Sequence, residues 1–137
     1  MLLTLVVALL ATQAEAQSSA TQRTTSVSVL ITLTEEPASR VFARVKASST
    51  LPPDEAVAAA KAAAARQAER VKQQQDRLIE LLKQRPYRAP FMYRLDRNTN
   101  AIAVRIEASF LPQLRKLDGV TSAEPIQTDV ITPKQRP

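Results

Sequence analysis

Residues 25–34 alternate apolar and polar side chains, residues 53–85 carry one long helical stripe, and residues 91–125 read as a hairpin, a short helix and a last strand. Together these predict an α+β chain of ferredoxin-like β-α-β-β-α-β order. That arrangement is a four-stranded antiparallel sheet with two helices on one face, here with the first helix unusually long.

Each element has a local reason. In TSVSVLITLT, Val27, Val29, Ile31 and Leu33 fall on one side and Ser28, Leu30 and Thr32 on the other, as in a strand with one buried face. Glu35-Glu36-Pro37 ends it, because proline cannot continue a hydrogen-bonded ladder. Ala38 to Leu51 reads as irregular, with a short helical turn around Arg40 to Lys46. Pro52-Pro53-Asp54-Glu55 then signals a helix start, proline being tolerated in the first turn and acids opposing the dipole there. The helix runs to about Arg85, where Pro86 stops it and Lys83 and Arg85 suit its negative end. Val71, Gln75, Leu78 and Leu82 share one seam. Its earlier members are Val57, Ala60, Ala64 and Ala68, so the first half offers little besides alanine. A helix of ~30 residues is about 45 Å long, against about 20 Å for a short strand. The helix must therefore overhang the sheet, kink, or pack its alanine end elsewhere.

Phe91, Tyr93 and Leu95 are expected on one face, followed by the turn-forming run Asp96-Arg97-Asn98-Thr99-Asn100. Ile102, Val104 and Ile106 share a face on the return strand. Ser109 is expected to cap a short helix with Pro112 in its permissive first turn and Leu111, Leu114 and Leu117 on its apolar side. Gly119, the chain's one glycine, suits the left-handed position that ends helices. Val120 to Ala123 is the last strand, limited by Pro125. With this alternation the open face of the sheet carries Ser28, Leu30, Thr32, Met92, Arg94, Ala101, Ala103 and Arg105.

Composition narrows the chemistry. The 137 residues suit one modest domain. There is no cysteine and no histidine, which excludes disulfides, thiolate zinc sites, Cys nucleophiles and a Ser-His-Asp triad. One glycine excludes a Gly-rich phosphate loop. No enzyme activity, metal or cofactor is expected. The net charge of +6 is spread over mixed charges without a polybasic block.

The start, MLLTLVVALLATQAEAQ, reads as a secretory leader. The apolar run Leu2 to Ala11 is too short to span a bilayer, which takes about 20 residues. Ala14-Glu15-Ala16 offers the small-x-small pattern for cleavage before Gln17, although no Lys or Arg precedes the run. The expected organisation is a signal peptide over 1–16, a polar linker over 17–25, a folded domain over 26–126 and an extended tail over 127–137. The expected location is secreted or periplasmic, without a stable membrane anchor.

Residues 91–125 resemble the propeptide-type inhibitors of subtilisin-like serine proteases. The family pattern is a Tyr-containing strand, Asn-Gly-aromatic-small before an aliphatic-x-aliphatic strand, a Leu-x-x-Leu helix, and Gly-Val-x-x-Val-Glu-Pro. The matching residues are Tyr93, Asn100-Ala101-Ile102-Ala103-Val104, Leu114 and Leu117, and Gly119-Val120-Thr121-Ser122-Ala123-Glu124-Pro125. Ala101 stands in place of the usual glycine, Ala123 in place of a larger aliphatic, and Ile126 where an acid commonly follows. The early strand and the long Gln-, Arg- and Ala-rich helix resemble those of larger bacterial extracellular subtilases.

The resemblance implies an inhibitor and folding chaperone whose partner is a subtilisin-like serine protease catalytic domain, in cis or in trans. Its docking residues would be Met92, Arg94, Ala101, Ala103, Arg105 and Glu124, with Asp129 as a substitute second acid. In the family, acids of the last strand approach the amino ends of two protease helices, where a carboxylate is stabilised by free N–H groups and the dipole. Gln127, Thr128, Asp129, Val130, Ile131 and Thr132 would lie in the substrate cleft as an extended strand. Pro133 argues against a cut after Thr132, so the cut lies beyond Pro137 or the tail stays uncleaved. Two rivals stand beside this reading. One is a secreted or envelope-associated interaction domain without inhibitory activity. The other is a nucleic-acid-binding ferredoxin-like domain. The second is disfavoured by the leader and by the expected inward turn of Phe91 and Tyr93, since that fold stacks bases on open-face aromatics; no nucleic-acid partner is expected.

Overall fold

The computed structural model of the protein describes residues 25–127. The predicted leader, most of the linker and the tail from Thr128 onward, Asp129 included, lie outside them. The elements are β1 (Ser26–Leu33), α1 (Ala38–Ser48), α2 (Pro53–Lys83), β2 (Phe91–Leu95), β3 (Ala101–Glu107), a 3-10 turn (Ala108–Phe110), α3 (Leu111–Leu114) and β4 (Val120–Pro125). The four strands form one sheet in the order β2-β3-β1-β4, and every neighbouring pair is antiparallel. This is the ferredoxin-like arrangement, with β1 and β3 in the middle and β2 and β4 at the edges.

The core lies between the sheet and the C-terminal half of α2. Val29, Ile31 and Leu33 of β1 meet Ile102, Val104 and Ile106 of β3, and Leu78, Ile79 and Leu82 of α2 cover them. Leu114 and Ala123 close the β4 side. No described helix is long and apolar enough to cross a membrane.

The segment expected to be irregular is an eleven-residue helix. Its N-cap is Pro37, with no capping side chain, so the usual start signal is missing. Its apolar side is short, Val41 being its one buried residue. It packs along the first half of α2 and resolves the length mismatch. The alanine end does not stand free; it lies against α1, burying Ala56 and Ala60. Small side chains let two helices approach closely, which is why alanine suffices there. The buried seam then continues through Gln67, Val71, Gln75, Leu78 and Leu82, so Ala56 and Gln67 take places expected for Val57 and Ala68. The first crossover therefore holds two helices rather than one.

Three glutamines at the middle of α2 tie this layer together. Gln67 donates to the Glu35 carboxylate at 2.9 Å and to the Glu36 carbonyl at 2.7 Å. Gln74 accepts from the Glu35 N–H at 3.1 Å and from the Asn100 amide at 2.8 Å. Gln75 donates to the Asn100 side-chain oxygen at 3.0 Å. Asn100, expected as an ordinary turn residue, is only 2 % exposed and joins the β1–α1 connection, α2 and the hairpin.

The second crossover is shorter. Ser109 is not a helix cap: it sits inside the 3-10 turn, where its hydroxyl bonds the Glu107 carboxylate at 2.7 Å. Gly119 does take the left-handed conformation, with φ +77°, but the helix already ends at Leu114 with Arg115 as its C-cap, so the glycine closes the turn before β4 rather than the helix; its carbonyl accepts from Thr34 N–H at 3.0 Å. A Cβ at that position would lie 3.0 Å from the Gln74 amide nitrogen. β4 runs on to Pro125, two residues beyond the expected strand.

Candidate docking face of the sheet

With the helices on one side, the other side of the sheet is open, and register decides what it presents. β1 turns Val29, Ile31 and Leu33 to the core, which leaves Ser28, Leu30 and Thr32 on the open face. Their β3 partners are Arg105, Ala103 and Ala101, so these three also face outward, as expected. On β4, Glu124 lies opposite Leu30 and Ser122 opposite Thr32, which puts Glu124 on the same face.

β2 departs from the expectation. Its pairing with β3 slips between Phe91 and Tyr93, so that Met92 is the extra residue of a bulge. Because side chains alternate with period two, one extra residue reverses the faces of everything beyond it. Phe91 pairs with Val104 on the helix side. Tyr93 pairs with Ala103 and Leu95 with Ala101, both on the open face. Arg94 pairs with Ile102 and turns to the helices. There it meets the Asp76 carboxylate at 3.0 Å and stands 5.7 Å over the Phe91 ring. Arg94 is therefore not a residue of the open face, and Phe91, Tyr93 and Leu95 do not share one. Met92 sits at the bulge on the exposed edge.

The corrected face is more apolar than the expected one. Its centre is the β3 row Ala101 and Ala103, both with no exposed surface. Taller neighbours flank them: Tyr93 (43 % exposed) and Leu95 (41 % exposed) on the β2 side, and Leu30 and Thr32 on the β1 side. The result is a shallow apolar trough, with Arg105 at one end and Glu124 across β1. Arg115 reaches back to β4, donating to the Ala123 carbonyl at 3.1 Å and standing 4.0 Å from the Glu124 carboxylate. At that distance, with both side chains more than half exposed, the pair contributes little and leaves Glu124 accessible. Ile126 N–H bonds the Ser28 carbonyl at 2.8 Å, so pairing with β1 continues one residue past the end of β4.

Tyr93 and Leu95 were missed as face residues because regular alternation contains no sign of a bulge. One signal was present. A β3 row of alanines beside bare polar or charged partners packs poorly, whereas tall apolar partners complement it. Comparison with protein-family models, with curated proteins and with solved structures returns no match.

Proposed function

We propose that this protein is a propeptide-type inhibitor of subtilisin-like serine proteases, which docks by the open face and lays its C-terminal tail in the substrate cleft. The observation that carries the reading is the trough itself: a flat row of covered alanines between Tyr93, Leu95 and Leu30, on the face that no helix covers. Buried aromatic anchors at the centre of a patch supply most interface affinity. An exposed acid, Glu124, stands on the same face just before the tail, which supports the reading because a free carboxylate is the group a helix amino end on a partner would favour. A domain of this kind binds native-like protease better than unfolded protease and so favours its folding by mass action. The role is binding rather than chemistry.

Titration of several subtilisin-like proteases with residues 17–137 tests this, with inhibition expected at micromolar concentration or below. Tyr93→Ala is expected to weaken inhibition tenfold or more, since truncating an aromatic hot spot costs about 2 kcal/mol. Arg94→Ala is expected to leave it unchanged, because Arg94 faces the helices. Absence of inhibition across the panel would sink the proposal. The outward turn of Tyr93 removes one objection to nucleic-acid binding. It supplies only one stacking ring, however, since the β1 and β3 residues of the open face include no aromatic.

A further inference from the structure

The sheet has two outer edges, and they differ. At β4 the Ala123 carbonyl is taken by Arg115 at 3.1 Å and Pro125 has no N–H to offer, which closes that edge to a further strand. β2 contains no proline or lysine, and all five of its residues are exposed. Of the six large apolar side chains exposed among the described residues, four stand on it: Phe91, Met92, Tyr93 and Leu95. An edge of that kind is a template for pairing with another strand. Its bulge would spoil pairing with a regular strand, but it makes β2 complementary to itself.

Register shows which backbone groups of β2 are free. Leu33 N–H bonds the Asn100 carbonyl, and Arg105 N–H bonds the Pro90 carbonyl. Bonding alternates along a strand, so the even-numbered residues of β3 bond β1 and the odd-numbered ones bond β2. Tyr93 and Leu95, opposite Ala103 and Ala101, therefore use their backbone groups on β3, whereas Phe91 and Arg94, opposite Val104 and Ile102, turn theirs outward. Val104 and Ile102 are two residues apart, so the outward groups keep the ~7 Å spacing of a regular strand despite the bulge. Side-chain faces follow the same pairing. Phe91 and Arg94 lie on the helix side. Met92 and Tyr93 together oppose Ala103 on the open side, where Leu95 and Pro90 also lie, across from Ala101 and Arg105. From Pro90 to Leu95 the faces run open, helix, open, open, helix, open, an order that reads the same in both directions.

Residues opposite each other in an antiparallel pair share a face. A second β2, related by a two-fold axis between Met92 and Tyr93, meets that condition at every position. Phe91 then stands opposite the partner's Arg94, Met92 opposite the partner's Tyr93, and Leu95 opposite the partner's Pro90. The outward groups of Phe91 and Arg94 form two hydrogen-bonded pairs with those of the copy. Charge fits as well. Arg94, the one charged residue of β2, is held by Asp76 at 3.0 Å and lies 5.7 Å over its own Phe91 ring, so the partner's Phe91 brings it a second ring rather than a like charge. The same register sets Asp96 against the partner's Ala89, beside the partner's Arg88. Asp96 and Arg88 are both exposed, and neither is in an ion pair among the described residues. Arg97 stands one residue further on, where the chain bends. We propose that β2 pairs with β2 of a second copy of this chain, joining two four-stranded sheets into one. The contact is one short strand, and interfaces below about 1,200 Å² are weak, so the dimer forms at sub-millimolar rather than nanomolar concentration. Both troughs stay uncovered, and the inference does not rest on protease docking.

The test uses the full chain, which has no cysteine of its own. Hydrogen exchange at the Phe91 and Arg94 amides is expected to slow severalfold between micromolar and near-millimolar protein, while exchange in β4 does not change. Met92→Cys protein mixed with Tyr93→Cys protein is expected to oxidise to the mixed disulfide in preference to either symmetric one. The reason is geometric: antiparallel residues that exchange no hydrogen bonds hold their Cα atoms about 4.5 Å apart, within disulfide reach. Leu30→Cys protein mixed with Tyr93→Cys protein reports stacking of the open faces instead, and little cross-linking is expected. Phe91→Lys sets a lysine against the partner's Arg94 and is expected to weaken association about tenfold or more, with circular dichroism showing the fold kept. Three outcomes each overturn the proposal: exchange at Phe91 and Arg94 that ignores concentration, cross-linking through Leu30→Cys in preference to Met92→Cys, or undiminished association of the Phe91→Lys protein.

Discussion

Along α2, the turn from Leu78 to Leu82 and the turn from Ala56 to Ala60 both bury side chains, against different partners. The later turn faces the strands and contributes Leu78, Ile79 and Leu82 to the main core. The earlier turn faces α1 and buries only methyl groups. Burying a large aliphatic side chain is worth about 1.5–3 kcal/mol, and burying a methyl about 0.8 kcal/mol. One continuous helix is thus anchored strongly at one end and weakly at the other. Gln67, Gln74 and Gln75 sit where the two regimes meet and bond the neighbouring loop and hairpin. The difference teaches that helix length alone says little about burial; what each stretch packs against decides its contribution.

Three substitutions probe that difference. Leu82→Ala strikes the anchored end at a site with no exposed surface. It is expected to lower the free energy of unfolding by about 2–5 kcal/mol, read from urea denaturation, with the sheet and helices lost together. A cost below 1 kcal/mol would show that the anchored half is not the core. Asn100→Ala strikes the junction, leaving the Glu35 carbonyl and the Gln74 amide oxygen short of a donor. The expected cost is about 1–3 kcal/mol. Hydrogen exchange should quicken in the β1–α1 connection and the β2–β3 turn before it does so in β1 and β3. Val41→Ala strikes the weak end, where the expected cost is about 1.5 kcal/mol. Faster exchange should be confined to α1 and the first turns of α2, with the sheet amides unchanged; a uniform change across the molecule would mean that the two ends of α2 unfold as one unit.

Much of the fold was legible because its signals are local. The alternation of β1, the Pro-Pro-Asp-Glu start of α2 and the left-handed conformation of Gly119 each follow from the geometry of a few neighbouring residues. α1 was harder to read. Val41, Phe42 and Val45 do have helical spacing, but Pro37 brings no capping side chain and the stripe is short. Its short apolar side packs against the alanine face of α2, a contact that periodicity within α1 does not reveal. Ser109 looked like a cap by residue type, yet Glu107 beside it offered its hydroxyl a nearer acceptor. The candidate face was half legible. The β1 and β3 contributions were read correctly from period two, while the β2 contribution was inverted by one bulged residue.

By itself the sequence determined the class of fold, the order and number of strands, the main apolar core and the absence of thiol and imidazole chemistry. All of these rest on short-range periodicity or on composition, which do not depend on how elements meet. Tertiary structure alone decided that the alanine half of α2 is covered by α1, that Asn100 is buried at a junction, and that Tyr93 and Leu95 face outward while Arg94 faces in. Each of those depends on register or contact between different elements rather than on periodicity within one, and in a strand pairing a single extra residue moves every later side chain to the opposite face.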